Sequence, residues 1–144
     1  MKRRVDASTA SLEPHVVWNA FVDLIATENY TALSPLQRKA HLVFWYESEV
    51  QNGGHGQYFE NQGRDRLRET VDALRDLGLA CQASVLARAV ERFSGADPQA
   101  DWLDALPEGF VEQLDQAFSA CSPDVTTALA AHLEAHKAEY IEVE

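Results

Sequence analysis

Three times in this chain a Ser or Asp is followed at once by proline: Ser34-Pro35, Asp97-Pro98 and Ser122-Pro123. Such a pair suits the start of an α-helix. The side-chain oxygen accepts an orphaned N–H of the first turn, and proline, held near a helical φ, sits where no N–H is needed. At "SPLQ" the signal is doubled, because Gln37 can return a bond to Ser34 and close a capping box. Around these starts the apolar residues recur at helical spacing. Val17, Phe21, Leu24 and Ile25 form one stripe, and Leu67, Val71, Leu74 and Leu77 form a second that stops at Gly78. Val85, Leu86, Ala89, Val90 and Phe93 form a third, with Gly95 expected as a left-handed cap. No alternating run of β-branched residues is bounded by turns. The chain therefore reads as all-α, a single compact domain of about seven or eight helices over residues 11–144, with residues 1–10 expected as a flexible arm.

A chain of 144 residues can bury a core of its own. No apolar stretch approaches the length of a membrane span, so no membrane partner is expected. The basic start "MKRRVDASTASLEP" is not followed by an apolar run and does not read as a secretory signal, which gives the cytoplasm as the expected location. Cys81 and Cys121 have no CxxC spacing and lie in apolar helical contexts; buried free thiols are the expectation.

Charge separates the two halves of the chain. Residues 1–72 hold ten Asp/Glu against eight Lys/Arg, whereas residues 73–144 hold thirteen against four, for a total of −11. From Asp97 to Glu144 eleven acids face a single base, Lys137. Binding nucleic acid directly requires Lys and Arg to replace phosphate counterions, so DNA and RNA are poor partners and a basic protein is a suitable one.

The helix opened by Ser34, "PLQRKAHLVFWYESEV", is apolar almost all round and is expected to be central and buried. It runs into "VQNGGHGQYFENQG", where four of the seven glycines fall within residues 50–63. A dinucleotide-binding loop would follow a strand and carry a third glycine where Phe59 stands, and a phosphate-binding Walker loop would need Gly-Lys-Ser/Thr. A fold-specific turn is the remaining reading, with glycine supplying positive φ. Glu49 sits near the end of its helix, where the macrodipole disfavours an anion. Backbone N–H groups at the start of a short following helix, His55 to Asn61, are expected to compensate it. Glu49 and His55 acting as acid and base of a small enzyme stay open as an alternative.

This stretch also resembles the signature of a bacterial domain family named after a DNA-mimic protein: an acid, a hydrophobe, Asn-Gly-Gly, an aromatic, a Gln-aromatic-Phe, Asn and Gly, then a helix with a Leu-Gly cap. The matching positions are Glu49, Val50, Asn52, Gly53, Gly54, Gln57, Tyr58, Phe59, Asn61, Gly63, Leu74 and Gly78, and His55 stands where an aromatic is usual. The resemblance runs over about residues 34–141. It implies an all-helical fold and, by analogy with the namesake, carboxylates that imitate DNA phosphates and occupy a transcription factor's DNA site.

Asp101, Asp104, Glu108, Glu112 and Asp115 recur at helical spacing, with Asp97 just before them and an interruption expected at Pro107. Phe110, Val111, Leu114 and Phe118 claim the inner face of the second segment, which leaves Glu112 and Asp115 facing out. These six acids are the expected surface for a basic DNA-binding protein. The alternative is an acidic surface that keeps a binding or scaffold domain soluble. A homodimer is left open. "HLEAH" places His132 and His136 one turn apart, yet the Glu is out of position for a zinc protease and both histidines share the stripe of Val125, Leu129 and Tyr140, so two satisfied, partly buried histidines are expected, with no metal and no cofactor.

Overall fold

The computed structural model describes residues 1–144, the side chain of Leu12 excepted. Eight α-helices are present among the described residues: α1 (Ala7–Leu12), α2 (His15–Thr27), α3 (Pro35–Gln62), α4 (Leu67–Asp76), α5 (Ala80–Ser94), α6 (Trp102–Ala105), α7 (Phe110–Ser119) and α8 (Val125–His136). Two three-residue strands, β1 (Arg3–Val5) and β2 (Ile141–Val143), join them. α3 is the central element, packed by α2, α4, α7 and α8. The core gathers along it: Phe21 meets Tyr140 edge-on at 4.7 Å, and Tyr46 meets Tyr58 and Phe118 at 4.9 and 5.5 Å.

The capping box at Ser34 is formed in both directions, Gln37 N–H to Ser34 Oγ at 3.2 Å and Ser34 N–H to Gln37 Oε1 at 3.0 Å. Its Gln is buried and donates its amide N–H groups onward to the carbonyls of Met1 and Glu139, at 2.6 and 2.8 Å, so that one side chain starts α3 and ties both ends of the chain to it. The other two Pro pairs do not start helices. Asp97 accepts the N–H of Gln99 in a local turn, and the caps lie further on, Asp101 for α6 and Asp124 for α8. Ser-Pro and Asp-Pro also open turns, and only "SPLQ" carries the reciprocating residue at the third helical position.

α4 stops in a Schellman motif: Gly78, at φ 80°, donates to Arg75 O at 3.0 Å and Leu79 N–H to Leu74 O at 2.8 Å, with Leu74 and Leu79 both fully buried. Gly95, expected to be left-handed, has φ −90° instead, because α5 unwinds through a tight turn from Gly95 N–H to Arg92 O that needs no positive φ.

Residues 1–10, expected as a flexible arm, are drawn onto the body. β1 pairs in parallel with β2, Val5 is buried, and the Arg3 guanidinium holds Asp23 and Glu28, each at 2.7 Å. The two cysteines are not free thiols. Cys81 and Cys121 form a disulfide with Cα atoms 5.6 Å apart, since the packing of α5 beside α7 brings the start of one next to the second residue beyond the other. Among the described residues no helix is long and apolar enough to cross a membrane.

Candidate functional site

α3 loses its helical geometry at Gly53 (φ −152°, ψ 17°) and Gly54 (φ 76°, ψ −177°). Beyond the break the chain resumes as a helix whose first N–H groups have no partners in the preceding turn. One partner comes from α7: Asp115 Oδ1 accepts the backbone N–H of His55 at 2.8 Å and its ring Nδ1–H at 2.7 Å. That bond fixes the tautomer, leaving Nε2 to accept the Tyr46 hydroxyl proton at 2.7 Å. His55 is 0% exposed, and its ring lies edge-on to Tyr46 and Phe118, so it fills the aromatic place in the turn while bonding at both nitrogens. Burial pulls the imidazole below its ordinary pKa, and the Asp115 carboxylate opposes the shift without cancelling it.

Glu49 is compensated by different donors from those expected. Its Oε2 accepts the side-chain amides of Gln57 and Asn61, each at 2.8 Å, and Asn52 Nδ2 donates to Gln57 Oε1 at 3.2 Å. The backbone N–H that was to serve Glu49 goes to Asp115. Phe59 turns inward against Phe93 at 5.2 Å, and Gly63 closes α3 by donating to Phe59 O at 3.0 Å. The signature residues thus form one polar brace across a broken helix. Glu49 and His55 each have other partners, and a ring with no exposed surface cannot meet a substrate without local opening. Asp115→Ala should leave two buried His55 donors unpaired and lower stability by about 2–4 kcal/mol. Asp115→Asn, which keeps an acceptor oxygen, should lose less, and thermal unfolding followed by circular dichroism separates the two. Equal melting of Asp115→Ala and the parent protein would remove the capping role.

The other acids stay outside. Asp97, Asp101, Asp104, Glu108 and Glu112 are exposed, whereas the Asp115 side chain, 38% exposed, is turned onto the glycine turn. They do not make one helical stripe. α6 ends at Ala105, the chain bends through Leu106–Gly109 around Pro107, and α7 restarts at Phe110, so Asp97 lies in the segment before α6, Asp101 caps that helix, Asp104 lies within it, Glu108 is in the link and Glu112 is on α7. Among the described residues none of the five lies within ion-pair distance of a cation. Two grooves flank them. In one, of about 940 Å³, Asp97 and Asp104 share the walls with Arg88 and Arg92. In the other, of about 650 Å³, Asp104, Glu108 and Glu112 rim Trp102, Leu106 and Val111.

His132 and His136 divide their roles. His132 is buried and its Nε2 meets the Tyr140 hydroxyl at 2.7 Å, with desolvation pulling its pKa down to about 4. His136, the last residue of α8, is exposed, contrary to the expectation that both are partly buried. Among the described residues no three His, Cys, Asp or Glu side chains converge as a metal site.

The family described as DMP19-like protein matches residues 31–136, a span that holds the glycine turn and every acid of the α6–α7 face and leaves out β1, α1, α2 and β2. Comparison with curated proteins and with solved structures gives no significant match.

Proposed function

Because this chain belongs to the DMP19-like protein family, we propose that it is a non-enzymatic, acidic interaction protein whose α6–α7 face occupies the DNA-binding site of a transcription factor or another basic nucleic-acid-binding protein. The observation that carries this reading is the set of five exposed carboxylates, Asp97, Asp101, Asp104, Glu108 and Glu112, none of them within ion-pair distance of a cation among the described residues, although Asp97 and Asp104 share a groove with Arg88 and Arg92. An acid paired with a cation inside the protein has little left for a partner; among these five only Asp97 and Asp101 accept a bond, each from a nearby backbone N–H, of Gln99 and Leu103. Asp115 leaves the set, since its carboxylate serves His55. A cytoplasmic location goes with such a partner and sets a condition on the Cys81–Cys121 link, because cytoplasmic thiol buffers keep accessible disulfides reduced.

Competition tests the reading. A basic protein retained by this chain at low salt should release duplex DNA as the chain is added, and affinity should fall with salt, less steeply than for DNA because protein carboxylates lack a condensed counterion layer. Asp104→Lys with Glu112→Lys should weaken displacement roughly tenfold or more while the helical circular-dichroism signal is kept. A partner that binds the chain and DNA at once, neither affecting the other, would falsify mimicry and leave an ordinary binding domain.

A further inference from the structure

Phosphate imitation needs carboxylates alone, yet the acidic face has an apolar floor. Leu103 is 64% exposed, and among the described residues the other large hydrophobic side chains at comparable exposure, Met1 and Val143, lie by the chain ends. Beside Leu103 runs the groove of about 650 Å³, floored by Gly56, Trp102, Leu106 and Val111 and rimmed by Asp104, Glu108 and Glu112. Its floor is fixed from below. The Trp102 indole N–H donates to Glu60 at 2.7 Å, and its ring leans on Phe59 at 5.9 Å, so the polar edge is satisfied and the remaining ring surface is apolar. Gly56 lines the groove without a side chain, and a Cβ there would lie in contact with Trp102 at 3.4 Å. The groove is larger than one side chain needs and falls in the size range of ligand sites.

We infer that this groove receives a large apolar side chain (Leu, Ile, Met or Phe) flanked by Lys or Arg, on the DNA-binding element of the partner, an inference that rests on the decoy reading above. Elements that bind DNA carry this combination. Cations meet the phosphates, while apolar side chains contact thymine methyl groups in the major groove or wedge between base steps in the minor groove. A decoy offering only charge would leave such a side chain facing water. The α6–α7 face offers the carboxylates of Asp104, Glu108 and Glu112 and the apolar side chains of Trp102, Leu106 and Val111 in one groove. Charge complementarity selects a basic occupant, and the Leu103–Trp102–Val111 surface selects one with an apolar centre.

Two synthetic lysine-rich helical peptides, identical except for a central Phe or Ala, test this by fluorescence anisotropy at low and high salt. The Phe peptide should bind about tenfold or more tightly, the ratio expected for burying one large apolar side chain, and the ratio should persist as salt weakens both. Leu103→Ser, at an exposed position, should bring the ratio below about threefold without moving the melting temperature. Asp104→Asn with Glu112→Gln should weaken both peptides and keep the ratio. Equal affinities for the two peptides overturn the apolar anchor and leave the charge reading standing, whereas failure of both to bind at low salt overturns the decoy reading with it. A shift in the sedimentation of the chain alone on Leu103→Ser would assign the groove to a second copy and overturn the inference.

Discussion

Gly54→Val is expected to destabilise the protein by about 3–5 kcal/mol, a fall in melting temperature of roughly 10 °C for a domain of this size. Two costs combine. A β-branched residue is poorly tolerated at φ 76°, and its Cβ would stand 2.6 Å from Asp115 Oδ2, displacing the carboxylate that serves His55. Gly53→Ala provides the contrast. Its φ of −152° is negative and adds no left-handed strain, but a Cβ there would run into the Gln57 side-chain amide and come 3.0 Å from the Gln57 Cβ. Its cost should be about 1 kcal/mol, the worth of loosening the Gln57 bridge to Glu49. Calorimetry on both variants checks the order. In an Asp115→Ala background Gly54→Val should cost less than it does alone, because part of its cost is the collision with that carboxylate. Strict additivity would mean the two residues do not act together.

Reducing the Cys81–Cys121 link, or replacing both residues by Ser, is expected to cost about 4 kcal/mol, the chain-entropy value for a loop of 40 residues. Melting with and without reductant measures it: the parent protein should lose roughly 10 °C and the double Ser variant should not respond. If reductant leaves the parent unchanged, the link contributes nothing. The closed loop runs from the start of α5 to the second residue beyond α7, so it contains Asp97, Asp101, Asp104, Glu108 and Glu112. The reduced protein should therefore also displace DNA less well, as the segment that carries the acids gains freedom.

Most of the helical framework could be read from local pattern. Phe21, Leu24, Ile25, Leu67, Val71, Leu74, Val85, Leu86 and Ala89 are all buried as their spacing requires. The capping box was legible for the same reason, since Ser34 and Gln37 lie within one turn. The misplaced starts at Asp97 and Ser122 had a local warning in the missing Gln or Glu at the third helical position. Other features had none. The pairing of Cys81 with Cys121 follows from how α5 meets α7, and the β1–β2 ladder joins segments too short to carry an alternating pattern. The spacing places Asp115 off the Phe110–Leu114–Phe118 face but does not show that its partly exposed carboxylate turns onto the break in α3. For Glu49 the need for compensation was visible, and the donors were already in the motif as Gln57 and Asn61.

The brace across α3 draws its polar members from Glu49, Asn52, Gln57, Asn61 and Asp115 and uses none of the five outward acids. Scaffold and display are thereby held by separate sets of residues. Asp104, Glu108 and Glu112 can therefore change charge without touching the brace, whereas Asp101 still caps α6 and Asp97 holds the turn before it. Asp115 marks the frontier of that freedom: a lysine at Glu112 changes only exposed charge, whereas the same change three residues later takes the acceptor from His55.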